Sequence, residues 1–135
     1  FQMNLQEIAT LIAYRLTVKC FILNNKLLGM VRQWQEMFHG ERYSESHIDV
    51  QPDFVKLAEA YGATGLRATT PGELDDVIKQ AFASDLPTIV DISVDAEENV
   101  FPMIPSGAAH NEIILGPEDS QSSENGGSVE SGVLV

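Results

Sequence analysis

One run of this sequence limits its fold more than any other. Val18-Lys19-Cys20-Phe21-Ile22-Leu23 is apolar at both alternating sets of positions except at Lys19. Successive side chains of a strand point to opposite faces, so a strand apolar on both must be covered on both. A parallel strand with helices above and below it meets that need. Asn24-Asn25 follows, where such a strand would end, and then Lys26-Leu27-Leu28-Gly29 leads into a segment of helical spacing. The order strand, polar corner, helix matters because ligands of open α/β sheets bind at the carboxyl ends of the strands.

The remaining chain alternates in the same way. Leu5, Ile8, Ala9, Leu11 and Ile12 predict an amphipathic helix over about Asn4 to Leu16, with Asn4 as its cap and Glu7 at the capping-box position. Gly29 to about Phe38 reads as a second helix, and the polar stretch His39 to His47 as a long loop. Pro52-Asp53 opens a third helix, with Phe54, Leu57, Ala58 and Tyr61 on one face, and Gly62 ends it. Gly65 to Ala68 is a short strand. Thr70-Pro71-Gly72-Glu73 starts a further helix whose apolar face is Leu74, Val77, Ile78, Ala81 and Phe82. Pro87 to Val94, rich in β-branched residues, is the last strand. Strands alternating with helices predict an α/β, doubly wound parallel sheet with helices on both faces. The expected organisation is one domain over 1–95, a Pro-containing C-terminal arm over 96–116, and a disordered acidic tail over 117–135, where Lys and Arg are absent.

Composition excludes some functions. A length of 135 residues suits one domain. The formal net charge of -12 argues against general binding to nucleic acid or anionic membranes. No apolar run approaches the roughly 18 residues that span a bilayer. The single cysteine, Cys20, allows no intrachain disulfide and reads as a buried structural thiol. The chain opens directly into a helical pattern, as if cut in mid-structure, so a targeting segment could lie upstream.

The residues alone leave the chemistry open. The Asn24-Asn25 pair is either a turn former after a strand or a source of amide oxygens for a hard cation such as Mg²⁺. Met30 and Trp34 share a helix face and serve either as core or, with Phe38, as a pocket wall. His39, His47 and His110 have no metal-ligand spacing.

The motifs say more. The runs Phe1-Gln2-Met3-Asn4-Leu5-Gln6-Glu7, Lys19-Cys20-Phe21-Ile22-Leu23-Asn24-Asn25 and Gly29-Met30-Val31-Arg32-Gln33-Trp34-Gln35 resemble the large catalytic subunit of acetolactate (acetohydroxyacid) synthases. So do Arg42-Tyr43-Ser44, Pro52 to Ala60 and Phe101-Pro102-Met103-Ile104-Pro105. The Asn-Asn corner is shared by many thiamine-diphosphate enzymes; the Gly-Met-Val-Arg-Gln-Trp extension is more specific.

The resemblance implies the C-terminal part of a thiamine-diphosphate-binding fold. By that resemblance the side chain of Asn25 and the backbone oxygen of Leu27 hold Mg²⁺, and Leu28 and Gly29 lie beside the diphosphate. Met30 packs by the reactive ring, and Val31 and Trp34 line the path for substrate and inhibitor. The implied reaction decarboxylates pyruvate and joins the remaining two-carbon unit to a second 2-ketoacid, pyruvate or 2-ketobutyrate, in branched-chain amino acid biosynthesis. The family also implies FAD on a middle domain, a homodimer or tetramer, and a small regulatory subunit. Its setting would be cytoplasmic in a bacterium, or organellar. The family's Gly-Asp-Gly motif would lie just before Phe1, and the cofactor-activating Glu belongs to its first domain, so no catalytic residue is expected here. The chain is therefore expected to be a fragment, or one piece of a split protein, inactive alone. Two alternatives stand beside this reading: another thiamine-diphosphate 2-ketoacid carboligase, such as glyoxylate carboligase, or a non-catalytic α/β interaction module.

Overall fold

In the computed structural model, the structure describes residues 1–117. The expected disordered tail lies outside them, apart from Pro117. After a 3-10 turn at Gln2–Asn4 the elements run α1 (Glu7–Ala13), β1 (Lys19–Asn24), α2 (Gly29–Phe38), α3 (Phe54–Tyr61), β2 (Thr64–Ala68), α4 (Pro71–Ala83) and β3 (Thr88–Ser93), with a second 3-10 turn at His110–Glu112. The predicted order of helices and strands is the observed one. The described residues divide into two compact units: Phe1–Gly29 with Ser44–Glu97, and Met30–Tyr43 with the described chain that follows Glu97.

The first unit is a parallel sheet in the order β1-β3-β2. Register places Cys20, Ile89 and Gly65 side by side, and Phe21, Val90 and Leu66 side by side, so neighbouring positions alternate between two faces. On one face Ile22 and Ile89 pack with Ile8 and Ile12 of α1 and with Phe54, Leu57 and Ala58 of α3. On the other, Phe21, Leu66, Val90 and Ile92 pack with Leu74, Val77 and Ala81 of α4. Helices therefore cover both faces, as the alternation of strands and helices predicts.

Local signals account for most element ends. Asp53 accepts from the backbone N–H groups of Val55 and Lys56 at the start of α3, and Gly62 ends it with φ 81°. Glu73 reaches back to the N–H groups of Thr69 and Thr70 at the start of α4. Gly65 is required by packing. A Cβ there would lie 2.6 Å from the carbonyl oxygen of Val55, so the missing side chain is what lets α3 lie on β2.

Three expectations change. Helix α1 starts at Glu7 with Gln6 as its cap, and Asn4 belongs to the preceding 3-10 turn. Phe82 is 67% exposed, with its ring 6.0 Å from that of Phe21. Strand β1 is an edge of the described sheet and is half-buried, with Leu23 exposed. The doubly covered position belongs to β3, where Ile89 and Val90 are buried. Lys19 explains the one charge in the apolar run. Its Nζ donates to the carbonyls of Ser84 and Leu86 at 2.6 and 2.7 Å, just beyond the end of α4, where helix carbonyls lack partners.

Candidate functional site

The corner after β1 is a pair of consecutive side-chain turns. Asn24 Oδ1 accepts from the N–H of Lys26 at 3.2 Å, and Asn25 Oδ1 accepts from the N–H of Leu27 at 3.1 Å. Lys26, between them, takes a left-handed backbone with φ 57°. The segment Ser46–Ile48 backs the corner. The Leu28 N–H donates to the Ser46 carbonyl at 2.8 Å, and the Ile48 N–H to the Lys26 carbonyl at 2.9 Å. Neither bond uses the Leu27 carbonyl. Ser46 is fully buried and its hydroxyl has no hydrogen-bond partner among the described residues.

The two asparagines divide in role. Asn24 turns to the sheet: its Nδ2 donates to Asp91 Oδ1 at 2.9 Å. Asn25 turns toward α2, and a Cβ on Gly29 would lie 3.2 Å from its Nδ2. Gly29 thus leaves room for the Asn25 amide at the first residue of a ten-residue helix, whose opening N–H groups have no partner within the helix.

These residues suit a hard cation with a diphosphate. Mg²⁺ takes oxygen donors and few of them from protein, usually shared with phosphate oxygens. The Asn25 amide oxygen keeps a second lone pair beyond the Leu27 N–H, and the Leu27 carbonyl follows two residues on. A helix N-terminus favours the anionic diphosphate. No cluster of three His, Cys, Asp or Glu suited to a metal occurs among the described residues. The donor set on offer is neutral amide and carbonyl oxygen. The ordinary-turn reading describes both residues, since each Asn side chain accepts from the N–H two residues on.

Further along α2, Met30 is 58% and Val31 44% exposed, so neither is core. Trp34 is half-buried, and its ring meets that of Phe38 edge-on at 5.2 Å.

Reading the sequence alone missed a second polar feature, a cleft of about 410 Å³ at the carboxyl ends of β1, β3 and β2. Asp91 sits inside β3 and Arg67 is its register partner on β2. Arg67 Nε donates to Asp91 Oδ2 at 3.1 Å, and its Nη2 to Asp53 Oδ1 at 2.8 Å. Burial alone would raise the Asp53 carboxyl, but the Lys56 N–H and the Arg67 guanidinium outweigh it and hold the group below its ordinary value. Burial works against the charge on Arg67, yet the two carboxylates keep its pKa above the ordinary value. The signal for this network was one lone charge in each of two apolar strands. Cys20 is half-buried, and burial pushes its thiol up, in keeping with an inert structural cysteine.

Comparison with known proteins shows the family. Residues 1–92 match the family of thiamine pyrophosphate enzymes in their C-terminal TPP-binding domain, and the chain belongs to that family. Among curated relatives, the acetolactate synthase large subunits of Cyanidium caldarium and Haemophilus influenzae are each 44% identical to it over 115 residues. The isozyme 2 large subunit of Escherichia coli is 40% identical over 114 residues. Each match covers 84% of this chain, which spans only about a fifth of those relatives (20%, 20% and 21%). A solved structure, a thiamine diphosphate-dependent 4-hydroxybenzoylformate decarboxylase from Rhodococcus jostii, superposes with a TM-score of 0.64. It is 26% identical, and the match covers 72% of this chain and 18% of that one. No helix among the described residues is long and apolar enough to cross a membrane.

Proposed function

We propose that this chain is the Mg²⁺- and diphosphate-binding segment of an acetolactate synthase large subunit. The observation that supports the reading is the corner Asn25-Lys26-Leu27-Leu28-Gly29, where an amide oxygen, a backbone carbonyl and a helix start fall within five residues, in a sequence 40–44% identical to three such subunits. In this reading the Asn25 side chain and the Leu27 carbonyl bind Mg²⁺, and Leu28 and Gly29 place their backbone beside the diphosphate. Met30 sets the position of the thiazolium ring by contact, and Val31 and Trp34 line the approach of the 2-ketoacids. Thiamine diphosphate, when bound, supplies a nucleophilic carbon and an electron sink for decarboxylation of pyruvate and carboligation to pyruvate or 2-ketobutyrate. The segment's own work is to bind, orient and exclude water. Mg²⁺ takes about six oxygen donors, of which this chain would supply two, from Asn25 and Leu27. FAD, the homodimeric or tetrameric assembly and a regulatory subunit belong to the same proposal, through parts of the enzyme outside these residues. So does the proposed division into a domain over 1–95, an arm over 96–116 and a tail over 117–135.

The test is a Mg²⁺ titration of thiamine diphosphate binding to the full-length polypeptide carrying this segment. Asn25→Ala removes one oxygen ligand and should raise the Mg²⁺ needed for half-saturation by about tenfold, the size of a ~1.4 kcal/mol loss. An unchanged titration in that variant would refute the ligand role.

A further inference from the structure

We infer that Gln33 is a positioning residue, whose side-chain amide latches the C-terminal arm onto one side of α2 and so fixes the placement of Met30, Val31 and Trp34 on the other. The inference rests on the proposed function, in which those three residues meet cofactor and substrate.

Gln33 is 1% exposed. Its Nε2 donates to the Val100 carbonyl and its Oε1 accepts from the Val100 N–H, both at 2.9 Å. Two residues facing each other across an antiparallel ladder exchange this same pair of bonds; here a side chain takes the part of one of them. Nε2 also lies 3.1 Å from Met103 Sδ. Beside it, Asn99 bridges an ion pair of the helix: it accepts from Arg32 Nη1 and donates to Glu36 Oε1, each at 2.9 Å, and Arg32 pairs with Glu36. At 3.6 residues per turn, Arg32, Gln33, Glu36 and Met37 fall on one side of α2, and Met30, Val31, Trp34 and Phe38 on the other.

The choice of a buried amide is informative. An apolar side chain would hold the arm as well but would let it slide, because hydrophobic contact is non-directional. A buried amide with donor and acceptor both satisfied fixes one register, since any slip leaves polar groups unpaired. The latch therefore sets which residues of α2 the arm covers, and by exclusion which it presents.

The experiment uses the full-length polypeptide carrying this segment, with hydrogen exchange of the arm and thiamine diphosphate titration at saturating Mg²⁺. Gln33→Ala should speed exchange at Val100 by about tenfold and raise the half-saturating thiamine diphosphate by a similar factor, the scale of losing a buried bonded pair. Gln33→Glu keeps the acceptor for the Val100 N–H but buries a carboxylate against the Val100 carbonyl, and should lose at least as much as Gln33→Ala. Asn99→Ala loosens the latch from the arm's side and should reproduce both effects with α2 untouched. Faster exchange with unchanged cofactor titration in both alanine variants would overturn the positioning role, and unchanged exchange would overturn the latch. A parent polypeptide that binds no thiamine diphosphate would instead overturn the proposed function, leaving the exchange measurement to decide the latch.

Discussion

A side chain on Gly29 would crowd Asn25: its Cβ would lie 3.2 Å from the Asn25 amide nitrogen, on an amide whose oxygen already holds the Leu27 N–H. The two residues are four apart, yet the corner brings them together before α2 has made a turn.

This contact separates a structural glycine from a functional one. Alanine is the better helix former by about 1 kcal/mol, so if Gly29 only starts a helix, Gly29→Ala should raise the melting temperature or leave it alone. The Asn25 amide must give way by a few tenths of an ångström, which disturbs the oxygen proposed to face the metal. The expected outcome is unchanged or higher thermal stability with Mg²⁺-dependent cofactor affinity lowered about fivefold, equivalent to ~1 kcal/mol. Calorimetric titration and a melting curve on the same sample check both halves. Parent-like affinity would remove Gly29 from the site.

The Arg67–Asp91 pair yields a prediction about stability alone. Asp91 has a side chain 8% exposed and Arg67 one 40% exposed, so solvent screens one end of the pair only. Arg67→Ala would leave the Asp91 carboxylate with Asn24 as its one side-chain partner among the described residues. Because Arg67 is partly solvated, the cost should be about 1–3 kcal/mol, below that of breaking a wholly buried pair. Asp91→Asn should lose less in the Arg67→Ala background than in the parent, giving a coupling energy of about 0.5 kcal/mol or more in urea unfolding. Strict additivity would show that the two groups act independently.

Acid should weaken the fold in a defined direction. The backbone N–H and hydroxyl of Thr69, followed by the Thr70 N–H, hold Glu73 below its ordinary value of 4.5, and Asp53 is held below its ordinary 3.8. A carboxylate whose pKa is depressed in the folded state binds fewer protons there than in the unfolded chain over the interval between the two values. Stability therefore rises with pH across that interval, is fully present above about 4.5, and is lost as pH falls through the folded values. Urea midpoints measured from about pH 7 down to about pH 3 should fall below about pH 4.5, and Glu73→Gln should flatten part of that decline. An equally steep decline in Glu73→Gln would exclude the cap as a source of the acid sensitivity.

Much of the fold was legible because the signals are short-range. Asp53 caps α3 through N–H groups two and three residues away, and Glu73 caps α4 through groups three and four residues back. The edge position of β1 was not legible. An apolar run reports that a strand can be covered, while pairing order decides whether it is, and β3 takes the centre. Asp91 and Arg67 read as isolated charges until register set them opposite each other.

By itself the sequence determined the alternation of strands and helices, the caps that begin α3 and α4, and the run from Asn24 to Trp34 that carries the family resemblance. Each depends on residues within a few positions of one another, where the backbone geometry of a helix, strand or turn fixes who can meet whom. Tertiary structure alone decided that Lys19 meets the carbonyls beyond α4, that Asn24 turns to Asp91 while Asn25 turns to Gly29, and that Gln33 holds Val100. Apart from the Asn25 contact, these join residues more than sixty positions apart. Their geometry exists only once the chain between them has closed, which no local pattern encodes.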